Sequence, residues 1–320
     1  MARKLVNTKE ITHDQWLALR RQSLGGSDSG SCVNMNQYVS LIELYSKKKG
    51  LVKETEDNEA MRQGRDLEQY VADRFMEATG KKVINDHFMY LDDDYDFISA
   101  NFDRKVVGEK AGLEIKTMNS FNGYNLAAGE IPEHYYAQCQ HYCMVMNWTH
   151  IYIAILVYQR GFYWHRIERN EDFIKSLREA ETAFWTNYMM QDIMPEPDGS
   201  DSSIATLKEL YPHGYKDLAI TVPSLDRRIR DYNEKKAIAD DYSKQAERIK
   251  ASICKDLGTA EIGIGNDYGV TWKNQSRASG YDMDRLQRDY PNIDISKYRK
   301  ITEFRQFRVQ DYTKKKGKQK

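Results

Sequence analysis

Two acids and a lysine in this chain have a spacing that suits phosphodiester chemistry. Asp103 is followed, after ten intervening residues, by Glu114-Ile115-Lys116. If Gly112 to Thr117 is a strand, Glu114 and Lys116 share one face and Ile115 points into the core from the other. Asp103 ends the preceding strand, and a turn at Gly108-Glu109-Lys110 would fold it back beside Glu114. Carboxylate oxygens hold hard divalent cations. Such a cation polarises a scissile phosphate and generates hydroxide from bound water. An adjacent lysine orients that water or offsets developing charge. The same residues would also serve as a salt bridge on a solvated strand face.

Other residues bear on that choice. On a helix from Asn58 to Thr79, Glu68 falls in the sector of Met61, Gly64, Val71 and Phe75. A carboxylate in an apolar stripe needs a partner or a cation, unless it sits at the edge and reaches water. Tyr135, Gln138 and Tyr142, three and four residues apart, make a polar aromatic helix face. They read either as support for a site or as core tyrosines around a buried amide. Near the N-terminus, Trp16-Leu17-Ala18-Leu19-Arg20 leads into Leu24-Gly25-Gly26-Ser27-Asp28. Two glycines opening a helix would favour phosphate on backbone N–H groups, with Arg20 as a clamp. A plain turn is the other reading.

The elements that must position these residues follow from period and breakers. Helices are predicted from Thr12 to Arg21, Gln37 to Lys49 and Asn58 to Thr79, the last two stopped by Gly50 and Gly80. The first eighty residues thus read as helical. Strands are predicted at Lys82 to Tyr90, Phe97 to Phe102 and Gly112 to Thr117. A helix from Ile131 to Trp148, a hairpin of His150–Tyr158 and Phe162–Glu168, and a helix from Glu171 to Met190 complete the region. This order suggests an α/β fold, a mixed sheet covered by helices. Residues 1–193 form the expected first domain and 194–222, rich in breakers, a linker. Residues 223–313 form a C-terminal extension with one striped helix to Gly258, about 50 Å long, then a small hairpin and a last strand at Ile301 to Val309. The stripe needs a partner, expected to be another helix of this chain or of a sister subunit. Residues 314–320 are a basic tail.

The whole chain has 48 basic and 48 acidic residues, so its formal net charge is zero. The sum hides a polarity: Thr221 to Lys320 holds 23 Lys+Arg against 15 Asp+Glu, a net of +8, and the remainder is −8. A nucleic-acid partner is therefore not excluded. The longest apolar run, Ile151 to Val157, is far too short to span a membrane, and the N-terminus lacks a signal-peptide core. Four cysteines do not make a disulfide scaffold, so a reducing cytoplasm is expected. Cys139, His141 and Cys143 look like ligands in a row, but helical phase turns His141 away, so no zinc is expected. Cys32 and Cys254 are isolated, so no iron–sulfur cluster is expected.

Together the pieces resemble one family, the YqaJ-like viral recombinases, relatives of lambda exonuclease in the PD-(D/E)xK nuclease superfamily. The resemblance is carried by Trp16-x3-Arg20-x4-Gly25-Gly26-Ser27-Asp28, Gly64-x3-Glu68, Asp103-x10-Glu114-x-Lys116 and Tyr135-x-Ala137-Gln138-x-Gln140. These occur in the family's order, within residues 14 to 170. The superfamily's proline is absent, since Asn101-Phe102 precedes Asp103. The resemblance implies a restriction-endonuclease-like fold and a magnesium site, with manganese able to substitute, on Asp103, Glu114, the Ile115 carbonyl and Glu68. It implies Lys116 as the catalytic lysine, Gln138 and Tyr135 in support, and Arg20 and Ser27 on the 5′-phosphate of a DNA end. It further implies 5′-to-3′ digestion of one strand of linear duplex DNA, a RecT-type single-strand annealing partner and a homo-oligomer, with the ring-shaped trimer of the family's lambda member as the model. The C-terminal extension, which lambda exonuclease lacks, puts the oligomer in question. An endonuclease of the same superfamily and a non-catalytic DNA-end-binding scaffold are the competing readings.

Overall fold

The computed structural model describes residues 2–53, 57–121, 123–215, 218–276, 282–298 and 307. The expected strand at 301–309, Phe307 apart, and the basic tail at 314–320 lie outside them. The chain divides into two units, Met1–Pro212 and His213–Lys320.

The first unit opens with a strand, β1 (Arg3–Asn7), where helix alone was expected. Helix α1 (His13–Arg21) starts at a capping box, Thr12 with Gln15. Helix α2 (Gly26–Cys32) follows Leu24-Gly25. Helix α3 (Leu41–Lys48) begins four residues later than predicted. The Asn36 side chain accepts the N–H groups of Tyr38 and Val39, and Ser40 then caps the helix, so residues 37–40 form a turn. Helix α4 (Glu59–Thr79) runs from an Asn58 cap to Gly80, which takes the left-handed conformation that ends it (φ +69°).

The segment read as one strand at 82–90 breaks at His87, whose φ is +56°. Its halves, β2 (Val83–Ile84) and β3 (Phe88–Leu91), join different sheets. The strand expected at 97–102 shrinks to β4 (Ser99–Ala100), and β5 (Arg104–Val106) follows. Then come β6 (Gly112–Met118), α5 (Glu133–Met146), β7 (His150–Val157), β8 (Gly161–Glu168) and α6 (Glu171–Phe184), which continues as a π turn through Met189. Helix α7 (Asp201–Leu210) lies in what reads as linker. Ser202 in its first turn accepts the Ser40 N–H at 2.8 Å and donates to Glu43, so the first unit runs on to Pro212.

The main sheet is mixed, in the order β2-β5-β6-β7-β8, with only β6 and β7 parallel. A parallel pair needs a crossover, and α5 supplies it. Strands β1, β3 and β4 form a smaller antiparallel sheet. Strand alternation splits the core. Leu113, Ile115, Tyr152 and Ala154 pack with Val71, Ala72 and Phe75 of α4. Ile151, Ile153 and Ile155 face the other way, onto Cys139, Tyr142 and Cys143 of α5. The mixed α/β sheet flanked by helices is the architecture expected from the sequence.

The second unit holds α8 (Leu225–Leu257), a 33-residue helix ended by Gly258 as predicted, and the hairpin β9 (Ile262–Ile264) with β10 (Gly269–Thr271). A short helix, α9 (Met283–Asp289), was not anticipated. No residue of α8 is buried. Among the described residues no helix is long and apolar enough to cross a membrane.

Candidate active site

Strand β6 sends Leu113 and Ile115 toward α4, so Glu114 and Lys116 must emerge on the side of α5. Glu114 is 3% exposed. Its Oε1 accepts from Lys116 Nζ and from Gln138 Nε2, each at 2.7 Å. Gln138 Nε2 also donates to Tyr142 Oη at 3.0 Å, and Tyr142 Oη donates to the Asn101 carbonyl at 2.9 Å. The helix face of Gln138 and Tyr142 therefore orients the strand carboxylate. Two residues past Asn101, Asp103 Oδ2 accepts the Ile115 N–H at 2.6 Å. The β5–β6 turn thus brings the first acid beside the second, as the spacing predicts.

Crowding shows in the ionisation of these groups. Desolvation raises the Asp103 pKa well above the ordinary carboxylate range, and the nearby Glu114 and Glu68 charges add to it. Desolvation also raises Glu114, against the opposing pull of Lys116. Burial disfavours the Lys116 ammonium, but Glu114 and Asp103 outweigh it and its pKa rises, so the lysine stays a cation. Two acids that repel each other around one lysine are under-compensated.

The donor set fits a divalent cation. Glu114 Oε2 is buried and has no hydrogen-bond partner among the described residues. That oxygen costs free energy unless something positive meets it. Asp103, Glu68 and Lys116 line the same cleft, a cavity of about 460 Å³ that also touches Met61 and Gly64. Even so, no three acidic, histidine or cysteine side chains among the described residues converge as a ready shell. Glu68 explains why: its carboxylate bonds Arg104, a buried guanidinium that also donates to the Asp103 carbonyl at 2.8 Å.

Tyr135 lies beside the centre, with Lys116 Nζ 5.0 Å from its ring centroid. Arg20 and Ser27 are not in the carboxylate cleft. They bond each other, Arg20 Nη2 to Ser27 Oγ at 2.7 Å, in a separate cavity of about 210 Å³ that also carries Arg21, Lys47 and Lys48. The two glycines before Ser27 have distinct jobs. The Gly25 N–H donates to Asp28 Oδ2 at 2.9 Å. A Cβ on Gly26 would sit 2.6 Å from the Tyr142 ring, so the absence of one lets α2 press against α5.

Two residues of these sites escape sequence reading. Arg104 is inward because β5 alternates, with Val106 buried two residues on; that was the available signal. Lys48 lies in the run Lys47-Lys48-Lys49, and helical phase from Leu44 places it on the buried face. Its Nζ bonds the Arg20 and Ser23 carbonyls at 2.7 Å and Asp28 at 2.5 Å, which fixes the Arg20 loop. His141, in line with two cysteines, instead sits buried between Glu181 and the Ser99 carbonyl, at 2.7 and 2.8 Å.

The family model of the YqaJ-like viral recombinase domain matches residues 15–149. The chain is 33% identical over 314 residues to the uncharacterized protein YqaJ of Bacillus subtilis (strain 168), spanning 97% of this chain and 98% of that one. Among solved structures, an alkaline exonuclease (LHK-Exo) from Laribacter hongkongensis matches at TM-score 0.47 and 19% identity, over 56% of this chain and 93% of that one. A phage related exonuclease from Haemophilus somnus 129PT matches at TM-score 0.41 and 15% identity, over 48% and 80%. With the long YqaJ match spanning both units, the chain belongs to the YqaJ-like viral recombinase family.

Proposed function

We propose that the protein is a magnesium-dependent nuclease that digests one strand of linear duplex DNA from its 5′ end. The product would be 3′ single-stranded tails, used in phage or prophage recombination by a RecT-type annealing protein. One observation carries the reading: Asp103 and Lys116 line one cleft, and Glu114, bonded to that lysine, keeps a buried carboxylate oxygen with no hydrogen-bond partner among the described residues. A non-catalytic DNA scaffold has no use for that arrangement, which costs stability.

Asp103, Glu114 and the Ile115 carbonyl would hold the ion, and Glu68 would reach it directly or through water. When bound, the ion polarises the scissile phosphate and lowers the pKa of a water. Lys116 remains an ammonium and donates a hydrogen bond, so it orients the attacking water or offsets charge on the phosphate. Gln138 and Tyr142 keep Glu114 in one orientation. Arg20 and Ser27, anchored by Lys48, would take the terminal 5′-phosphate, since a guanidinium and a hydroxyl match its oxygens. The α8 stripe, exposed at Tyr242 and Ile249 (67% and 65%), supports a homo-oligomer, a ring-shaped trimer among the options. Basic residues beyond Thr221 would contact the DNA backbone.

The test is digestion of linear and circular duplex DNA with and without magnesium. Loss of linear DNA alone, as mononucleotides from the 5′ end, is the expected result. Cleavage of circles would make the enzyme an endonuclease instead.

A further inference from the structure

A second cavity, of about 270 Å³, adjoins the carboxylate cleft, and Ala60 and Thr117 line both. It lies at the N-terminus of α5 and the turn before α3. Its walls carry the rings of Tyr38, Tyr124, His134, Tyr135 and Tyr158. Tyr135 links the two spaces, because the same ring lies 5.0 Å from Lys116 Nζ. Tyr38 meets His134 edge-on at 5.6 Å and remains 56% exposed, so its ring keeps open surface. Among the described residues no lysine or arginine lines this cavity, whereas four cations line the Arg20 cavity. It is therefore built for a flat uncharged group, not for phosphate. The amide of Gln37 is also in its wall.

We propose that this aromatic cavity is a nucleobase subsite, which takes the base of a nucleotide whose phosphate lies in the adjoining cleft beside Lys116. The inference rests on the nuclease reading and adds to it a means of holding a base apart from its stack. Every base has a face that can stack on tyrosine, so the subsite would grip DNA ends with little sequence preference. Tyr38 contributes the open ring. A base seated here would leave the duplex, and the cavity would recover part of the lost stacking.

The experiment measures binding of deoxyadenosine 5′-monophosphate and of 2-deoxyribose 5-phosphate to the full chain in calcium. It compares wild type, Tyr38→Ala and Tyr38→Trp, each with its melting temperature checked. Wild type should bind the nucleotide at least about fivefold more tightly than the sugar phosphate. Tyr38→Ala should weaken nucleotide binding about 5- to 100-fold and spare the sugar phosphate, and Tyr38→Trp should restore it. On DNA, Tyr38→Ala should raise KM more than it lowers kcat. Equal binding of the two ligands by wild type, or an equal effect of Tyr38→Ala on both, would overturn the subsite. Wild type that binds the nucleotide selectively yet digests no DNA would sink the nuclease reading and leave the subsite standing.

Discussion

Arg104 bonds the Glu68 carboxylate and, with the same nitrogen, the main-chain carbonyl of Asp103. It thereby ties α4 to the loop that carries the first acid of the cleft. The two partners differ in burial, at 6% exposure for Arg104 and 34% for Glu68. Removing Glu68 leaves a buried guanidinium with only neutral acceptors, the Asp103 carbonyl and the Gln69 amide, while removing Arg104 leaves a carboxylate that water can reach. Glu68→Ala should therefore cost about 3 kcal/mol of stability and Arg104→Met about 1 kcal/mol. Urea denaturation of both variants checks the order, and equal costs would refute the asymmetry.

Gly26 and Gly25 are neighbours with unlike surroundings. A Cβ on Gly26 meets Tyr142 at 2.6 Å, whereas one on Gly25 finds nothing among the described residues nearer than 3.8 Å. Gly26→Ala should lose about 1–3 kcal/mol and lower kcat by disturbing the Tyr142–Gln138–Glu114 chain. Gly25→Ala should be mild in both. Thermal melting alongside steady-state rates separates them.

How far these details are legible in the sequence varies with their cause. The face shared by Glu114 and Lys116 follows from the strand period alone, and the Gly108 turn places Asp103. The ends of α4 and α8 are legible because Asn58, Gly80 and Gly258 act locally. The break at His87 is not, because a non-glycine residue at positive φ is imposed by two sheets competing for one segment. Nor does any local pattern reveal that Glu68, while lining the cleft, pairs with Arg104, 36 residues away.

The turn between β5 and β6 carries a pH dependence. Lys81 first, then His150 and Tyr152, donate to Glu109 and hold its pKa down at about 2. A depressed acid stabilises the fold above its unfolded value of about 4.3, and that contribution disappears as pH falls toward 2. Glu109 is 29% exposed, so solvent screening leaves the contribution at about 1 kcal/mol. Wild type should exceed Glu109→Gln in stability at pH 6, and the gap should close by about pH 2. A constant gap would mean that charge is not its source.

The stripe of α8 predicts association. Tyr242→Glu combined with Ile249→Glu places charge on a face that is exposed in the single chain. Sedimentation should show a smaller particle than wild type with unchanged helix content. An unchanged mass would assign the stripe to another partner.

The most direct measurement is digestion of end-labelled linear duplex, with and without magnesium and a 5′-phosphate, by wild type and Lys116→Ala of matched thermal stability. Wild type should release 5′ mononucleotides only with magnesium, faster from phosphorylated ends. Lys116→Ala should be slower by about 10²–10³. Digestion by Lys116→Ala at the wild-type rate would contradict the assignment of Asp103, Glu114 and Lys116 as the cutting centre.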